Sequence, residues 1–166
     1  MNHHFVFPAK TDIIIIMEDA MNRKTALPAM LLATLDLAVK LLPLGDNRSL
    51  IPGILGLHST SNRGVAFGLL SGSPFINALL ISVIILLSAV WLTMNPPRIF
   101  QSAGAALLLG GAAGNLLDRL LHGAVSDFIV FEFMVFPVFN LADVFLTIGA
   151  VLLILDLLIP RKKEKA

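Results

Sequence analysis

The chain has 166 residues, 57% of them hydrophobic and 14% charged, with a mean hydropathy of +0.87. Soluble domains hold about 45–50% apolar residues, so this composition excludes an ordinary soluble domain and indicates an integral membrane protein. A formal net charge of +1 offers no basic excess for a nucleic-acid partner, and the absence of cysteine removes disulfides, thiolate metal sites and cysteine nucleophiles.

Residues 1–25 are expected to form a cytoplasmic N-terminal extension. Their apolar run, Ile13 to Met17, is too short to span a bilayer and is flanked by Asp12, Glu18 and Asp19. It lacks the cationic start and small-residue cleavage site of a signal peptide. Met21-Asn22-Arg23-Lys24 would itself make a cationic start, so translation from Met21 and a genuine short tail both fit this segment.

Four stretches then have the roughly 20 apolar residues that a membrane helix needs: about 26–44, 75–94, 99–118 and 143–159. The first carries Asp36 and Lys40 near one end. The second stops at Asn95-Pro96-Pro97, where the prolines remove backbone donors. The third has Gly110 and Gly114 in GxxxG spacing, which permits close helix approach and suits a central place in a bundle. The fourth contains Asp156 and is closed by Pro160. Arg23, Lys24, Arg98, Arg161, Lys162, Lys163 and Lys165 fall on one side of these spans, against Arg48, Arg63 and Arg119 on the other. By the positive-inside rule both termini are expected in the cytoplasm, and about 45–74 and 120–142 outside.

In the first outer segment, Asp46-Asn47-Arg48 and Pro52-Gly53 are turn signals, and Ile54 to Thr60 reads as a strand. In the second, the apolar run Phe128 to Phe136 reads as a loop in the lipid interface. The expected fold is therefore an all-α membrane protein: four transmembrane helices over 26–160, a small extracytoplasmic β-element, an interfacial loop, and a cationic cytoplasmic tail at 161–166.

Ionisable groups in or beside spans are costly to bury, which makes each one a functional candidate. Asn115, Asp118 and Arg119 share one helical face at the outer end of the third span. For Asp118 the structural reading leads, an ion pair or helix-end anchor; Arg119 is as well suited to orienting a substrate. Asn140 is a good N-cap, with Asp143 at the third helical position and Phe139 and Val144 placed as a hydrophobic staple. Alone, Asp143 reads as a capping acid and Asp127 as a loop acid. Both lie on one side of the membrane in apolar surroundings, however, and two carboxylates brought close cannot readily both ionise. One can then keep a proton as acid while the other activates water, which is a device for peptide hydrolysis. His58 and His122 lack H-E-x-x-H spacing, so no metal or other cofactor is expected.

Four blocks carry a resemblance: Asn62-Arg63-Gly64-Val65-Ala66-Phe67-Gly68, Gly110 to Arg119, Gly123-Ala124-Val125-Ser126-Asp127-Phe128, and Phe136-Pro137-Val138-Phe139-Asn140-Leu141-Ala142-Asp143. In content, order and spacing they resemble the lipoprotein signal peptidases (signal peptidase II). The resemblance implies an aspartic endopeptidase of the bacterial cytoplasmic membrane, multi-pass, with its site at the outer face. It implies a catalytic pair of Asp127 and Asp143, with Asn62, Asn115, Asp118, Arg119, Asn140 and Asp36 lining or supporting the site. Substrates would be prolipoproteins already bearing a diacylglyceryl group, cut just before the lipidated Cys. Membrane lipids would be the other partners, with Phe128, Phe131, Phe133 and Phe136 holding the lipid-borne substrate or anchoring the protein. A monomer is expected.

The chain departs from the family pattern at Leu37-Ala38-Val39, at Arg63, and at Val144 and Phe145, which would narrow the pocket, but no catalytic group is lost. Two rival readings are a proton-coupled carrier and a non-catalytic scaffold. A carrier would place its acids near the bilayer midplane and would need more spans; a scaffold has no need of both Asp.

Overall fold

The computed structural model describes residues 23–42, 47–63 and 99–159, together with Leu80, Val83, Ile84 and Leu87, which are helical. The expected N-terminal extension up to residue 22, most of the span at 75–94 and the cationic tail lie outside the described residues. So does the part of the first resemblance block from Gly64 onward.

Helix α1 is Arg23–Lys40, strand β1 Arg48–Ile51, strand β2 Leu55–Asn62, helix α2 Ile99–His122, strand β3 Val125–Phe131 and helix α3 Leu141–Leu158. The polar and apolar residues are arranged opposite to those of a soluble protein. Leu27, Met30, Leu31 and Leu35 of α1 and Val151, Ile154, Leu157 and Leu158 of α3 are exposed. Buried between the elements are small residues (Ala33, Ala105, Ala106, Ala112, Ala142) and polar ones (Asp36, Gln101, Asn115, Asp118, Asn140). Such an exterior is a liability in water but matches lipid tails, where helices associate through close packing of small residues and interhelical hydrogen bonds. Of the described helices one, α3, is long and apolar enough to cross a membrane, with a mean hydropathy of 2.3.

Helix α2 is the shared partner. A Cβ at Gly110 would fall 2.9 Å from the Ala29 carbonyl oxygen of α1, and one at Gly111 would fall 2.5 Å from the Ala142 carbonyl oxygen of α3. The small residues thus serve two interfaces at once, which matches the central place expected of this segment. The helix runs one turn beyond the expected boundary at 118, ending at His122 where Gly123 takes a left-handed φ of 73°.

The three strands form one antiparallel sheet in the order β1-β2-β3. Gly53, with φ 73°, makes the β1–β2 turn, which is tied down by Glu132 accepting from the Gly53 N–H at 2.7 Å. The sheet corrects the reading of 128–136 as an interfacial loop. Val125, Phe128, Ile129, Val130 and Phe131 are β-branched or aromatic, suited to a strand, and the first four of the seven β3 positions are largely covered. Phe128 is accordingly buried at 6% exposure instead of facing lipid. After the strand, Phe133, Met134, Val135 and Phe136 are exposed.

Candidate active site

Asp127 is held at the junction of sheet and helices. It pairs with Thr60 of β2, and the register shifts between Leu57 and Thr60, just where β3 carries the acid. Such bulges twist a strand and re-aim its side chains. The Asp127 carboxylate is 2% exposed. It accepts from Asn62 Nδ2 at 2.9 Å and from Asn140 Nδ2 at 2.6 Å. Burial pushes its pKa up to about 6. The Asn62 hydrogen bond opposes that rise, nearby Asp143 adds to it, and the Asn140 bond and the Lys40 charge oppose it.

Asp143 is fixed by local sequence. Asn140 caps α3, its side chain accepting from the Asp143 N–H at 3.0 Å, while Asp143 Oδ2 accepts from the Asn140 N–H at 3.2 Å. This reciprocal capping box leaves Oδ1 free to accept from Asn115 Nδ2 of α2 at 3.0 Å. Asn140 is fully buried and joins the two acids, because its Nδ2 also donates to Asn115 Oδ1 at 3.2 Å. Asp127, Asp143, Asn62, Asn115 and Asn140 therefore form one hydrogen-bonded network. Arg119 stands at its edge, its Nη1 donating to the Asn115 carbonyl at 3.2 Å, close enough to Asp143, Asp127 and Asp118 to feel their charges.

Asp36 and Asp118 are placed differently. Asp36 Oδ1 accepts from the Ala142 N–H at 2.9 Å, one residue before Asp143. Asp118 Oδ2 accepts from the Ser126 N–H at 2.7 Å, one residue before Asp127. Each acid thus anchors the backbone beside one member of the pair without touching its carboxylate. Two residues set aside in the sequence complete this layer. Lys40 is 3% exposed and pairs with Asp36 at 2.8 Å and Asp118 at 3.4 Å, and His122 meets Asp118 Oδ1 at 2.7 Å. Both stand four positions from their acid on a helix, and that spacing is the signal that could have found them. Around the start of α3, Phe131 contacts Phe133, Phe136 and Phe139 at ring-centroid distances of 5.4, 5.6 and 5.1 Å. Among the described residues no group of three or more His, Cys, Asp or Glu could hold a metal ion.

A family model described as Signal peptidase (SPase) II matches residues 28–159. The chain belongs to this family. It is 41% identical over 125 residues to the lipoprotein signal peptidases of Brucella ovis, Brucella suis and Brucella melitensis, covering 73% of this chain and 78% of theirs. Its fold is similar to that of two solved bacterial membrane enzymes. One, determined at 2.3 Å resolution, superposes with a TM-score of 0.77 at 31% identity, covering 86% of this chain and 93% of that one. The other gives 0.72 at 32% identity, covering 82% and 94%. The signal peptidase II membership makes the chain a protease, and the fold is that of a membrane enzyme.

Proposed function

We infer that this signal peptidase II is a four-span intramembrane aspartic endopeptidase. It removes signal peptides from diacylglyceryl-modified prolipoproteins, cutting before the lipidated Cys, and Asp127 and Asp143 do the chemistry. The single observation that carries the reading is the pair of carboxylates joined through Asn140, one of them held near a pKa of 6 by burial. Asp127 keeps the proton and Asp143, at the positive end of α3, acts as base toward water. The activated water attacks the scissile carbonyl, Asp127 protonates the leaving amine, and the two acids exchange roles to restore the start. Acid–base catalysis of this kind supplies on the order of 10²–10⁴ in rate, the rest coming from positioning and from donors such as Arg119 or Asn62 toward the developing oxyanion.

The pair has an outward-facing, lipid-accessible site in this reading, with both termini in the cytoplasm. The exposed Phe133, Met134, Val135 and Phe136 lie in the interface where a lipid-borne substrate arrives. The peptidase domain spans 26–160, the extension before it and the cationic tail after it both being cytoplasmic. A reporter fused after Ala166 is expected in the cytoplasm and one inserted near Ser71 outside; the reverse pattern sinks this topology. Cleavage of a lipidated precursor peptide tests the chemistry: Asp127→Asn and Asp143→Asn should each be nearly inert while expressing at the wild-type level, and wild-type turnover by either would overturn the pair.

A further inference from the structure

We propose that Lys40 is a positioning residue for the reaction, setting which end of the Asn115 amide faces Asp143. The inference rests on the reading of Asp127 and Asp143 as the reacting pair.

An asparagine amide has a donor end and an acceptor end of nearly equal size, and its neighbours decide which way it points. Lys40 Nζ donates to Asn115 Oδ1 at 3.0 Å. An ammonium can only donate, so the group it meets must be the carbonyl. The Asn115 NH2 is thereby turned to Asp143 Oδ1 at 3.0 Å, where it supports the carboxylate that receives the water's proton. Reversed, the carbonyl would face a carboxylate oxygen and the NH2 would face a buried cation, two repulsive contacts in place of two attractive ones. Asn140 Nδ2 also donates to Asn115 Oδ1 at 3.2 Å, but it donates at 2.6 Å to Asp127 as well, so it is shared between the networks.

The ammonium is itself held. Asp36 on α1 lies 2.8 Å away and Asp118 on α2 3.4 Å away, and the Lys40 side chain is 3% exposed. A Cβ on Gly114 would stand 2.6 Å from Asp36 Oδ2, so glycine at this position leaves the room for the acid that steers the cation. The two anchoring acids and the two reacting acids are thus connected through one side chain, Lys40 to Asn115 to Asp143.

Steady-state cleavage of a lipidated precursor tests this in the full-length enzyme, with Asp127→Asn and Asp143→Asn alongside. Because Lys40→Met alone strands two buried acids, the main variant is Asp36→Asn with Lys40→Met, which removes the ion pair as a unit. Its kcat should fall on the order of 100-fold with KM within about two-fold. Asn115→Ala should do the same. Combining all three changes should lower kcat little further, since Lys40 acts through Asn115 and coupled residues are non-additive. Lys40→Arg keeps a donor-only cation beside Asn115, so it should keep far more of kcat than the double variant. Wild-type kcat in Asp36→Asn with Lys40→Met, or losses that multiply in the triple variant, would overturn the positioning role while Asp127→Asn and Asp143→Asn stay inert. Wild-type turnover by either of those two would instead overturn the pair, and this inference with it.

Discussion

Two pairs of acids sit close together in this protein, Asp36, Asp118 and Asp127 buried and Asp143 half-buried, and they are held in different ways. Asp36 and Asp118 are compensated by a cation and by backbone donors: Lys40 lies 2.8 and 3.4 Å from them, and the N–H groups of Ala142 and Ser126 complete their shells. Asp127 and Asp143 receive side-chain amides, from Asn62, Asn115 and Asn140, together with one capping N–H. A carboxylate tied at once to a cation and to a backbone N–H fixes the backbone that it holds. Side-chain amides satisfy the oxygens and, at Asp127, oppose a rise in pKa that burial still wins. The difference separates acids that fix the backbone from acids suited to moving a proton.

The sharpest way to break that comparison is to make the same small change in each group. Asp127→Asn and Asp143→Asn should lower turnover of a lipidated precursor by at least about 10³-fold, within the usual range for removing acid–base groups, with little loss of folded protein. Asp118→Asn should retain partial activity, on the order of a tenth, and melt earlier. It weakens the contacts to Lys40 and His122 and leaves an amide facing the Ser126 N–H. Parallel precursor cleavage and thermal melts in detergent check both. Full activity and full stability in Asp118→Asn would erase the distinction.

A smaller effect sharpens it from the side of stability. The folded-state pKa of Asp127 is raised from an ordinary 3.8 to about 6, so its protonated form is the one that folding favours. Its contribution is complete below the unfolded pKa and is lost as pH rises through about 6. That difference corresponds to roughly 3 kcal/mol at most above the folded pKa. Asp127→Asn mimics the neutral acid at every pH, and should therefore melt a few degrees above wild type at pH 8 and close to it at pH 4. A variant less stable than wild type at pH 8 would mean that the charged form is the one accommodated.

How much of this was legible in the sequence follows the distance over which each contact reaches. The capping box of Asn140 and Asp143 spans three residues and could be read directly, as could the small-residue stripe of α2. The Asn62 contact with Asp127 links positions 65 apart. It depends on the register of β2 and β3 and on the bulge between Leu57 and Thr60, which no local pattern encodes. Strand β3 was hidden because an apolar run beside a membrane span looks the same whether it pairs with a strand or lies in lipid. Phe128, inside that sheet, and Phe133, outside it, are indistinguishable by composition. Lys40 was read only as a charge beside Asp36, because its other partners, Asp118 and Asn115, come from a helix more than 70 residues later.

The central claim is that the amide-held pair carries one proton and that it rests on Asp127. Carboxyl-resolved infrared titration of the substrate-free enzyme in detergent tests it most directly, with each acid replaced by Asn in turn. The expected result is a neutral carboxyl band titrating near pH 6 in wild type, kept but titrating lower in Asp143→Asn, where the Asp143 charge is gone, and absent in Asp127→Asn. A band that survives in Asp127→Asn and disappears in Asp143→Asn would contradict it.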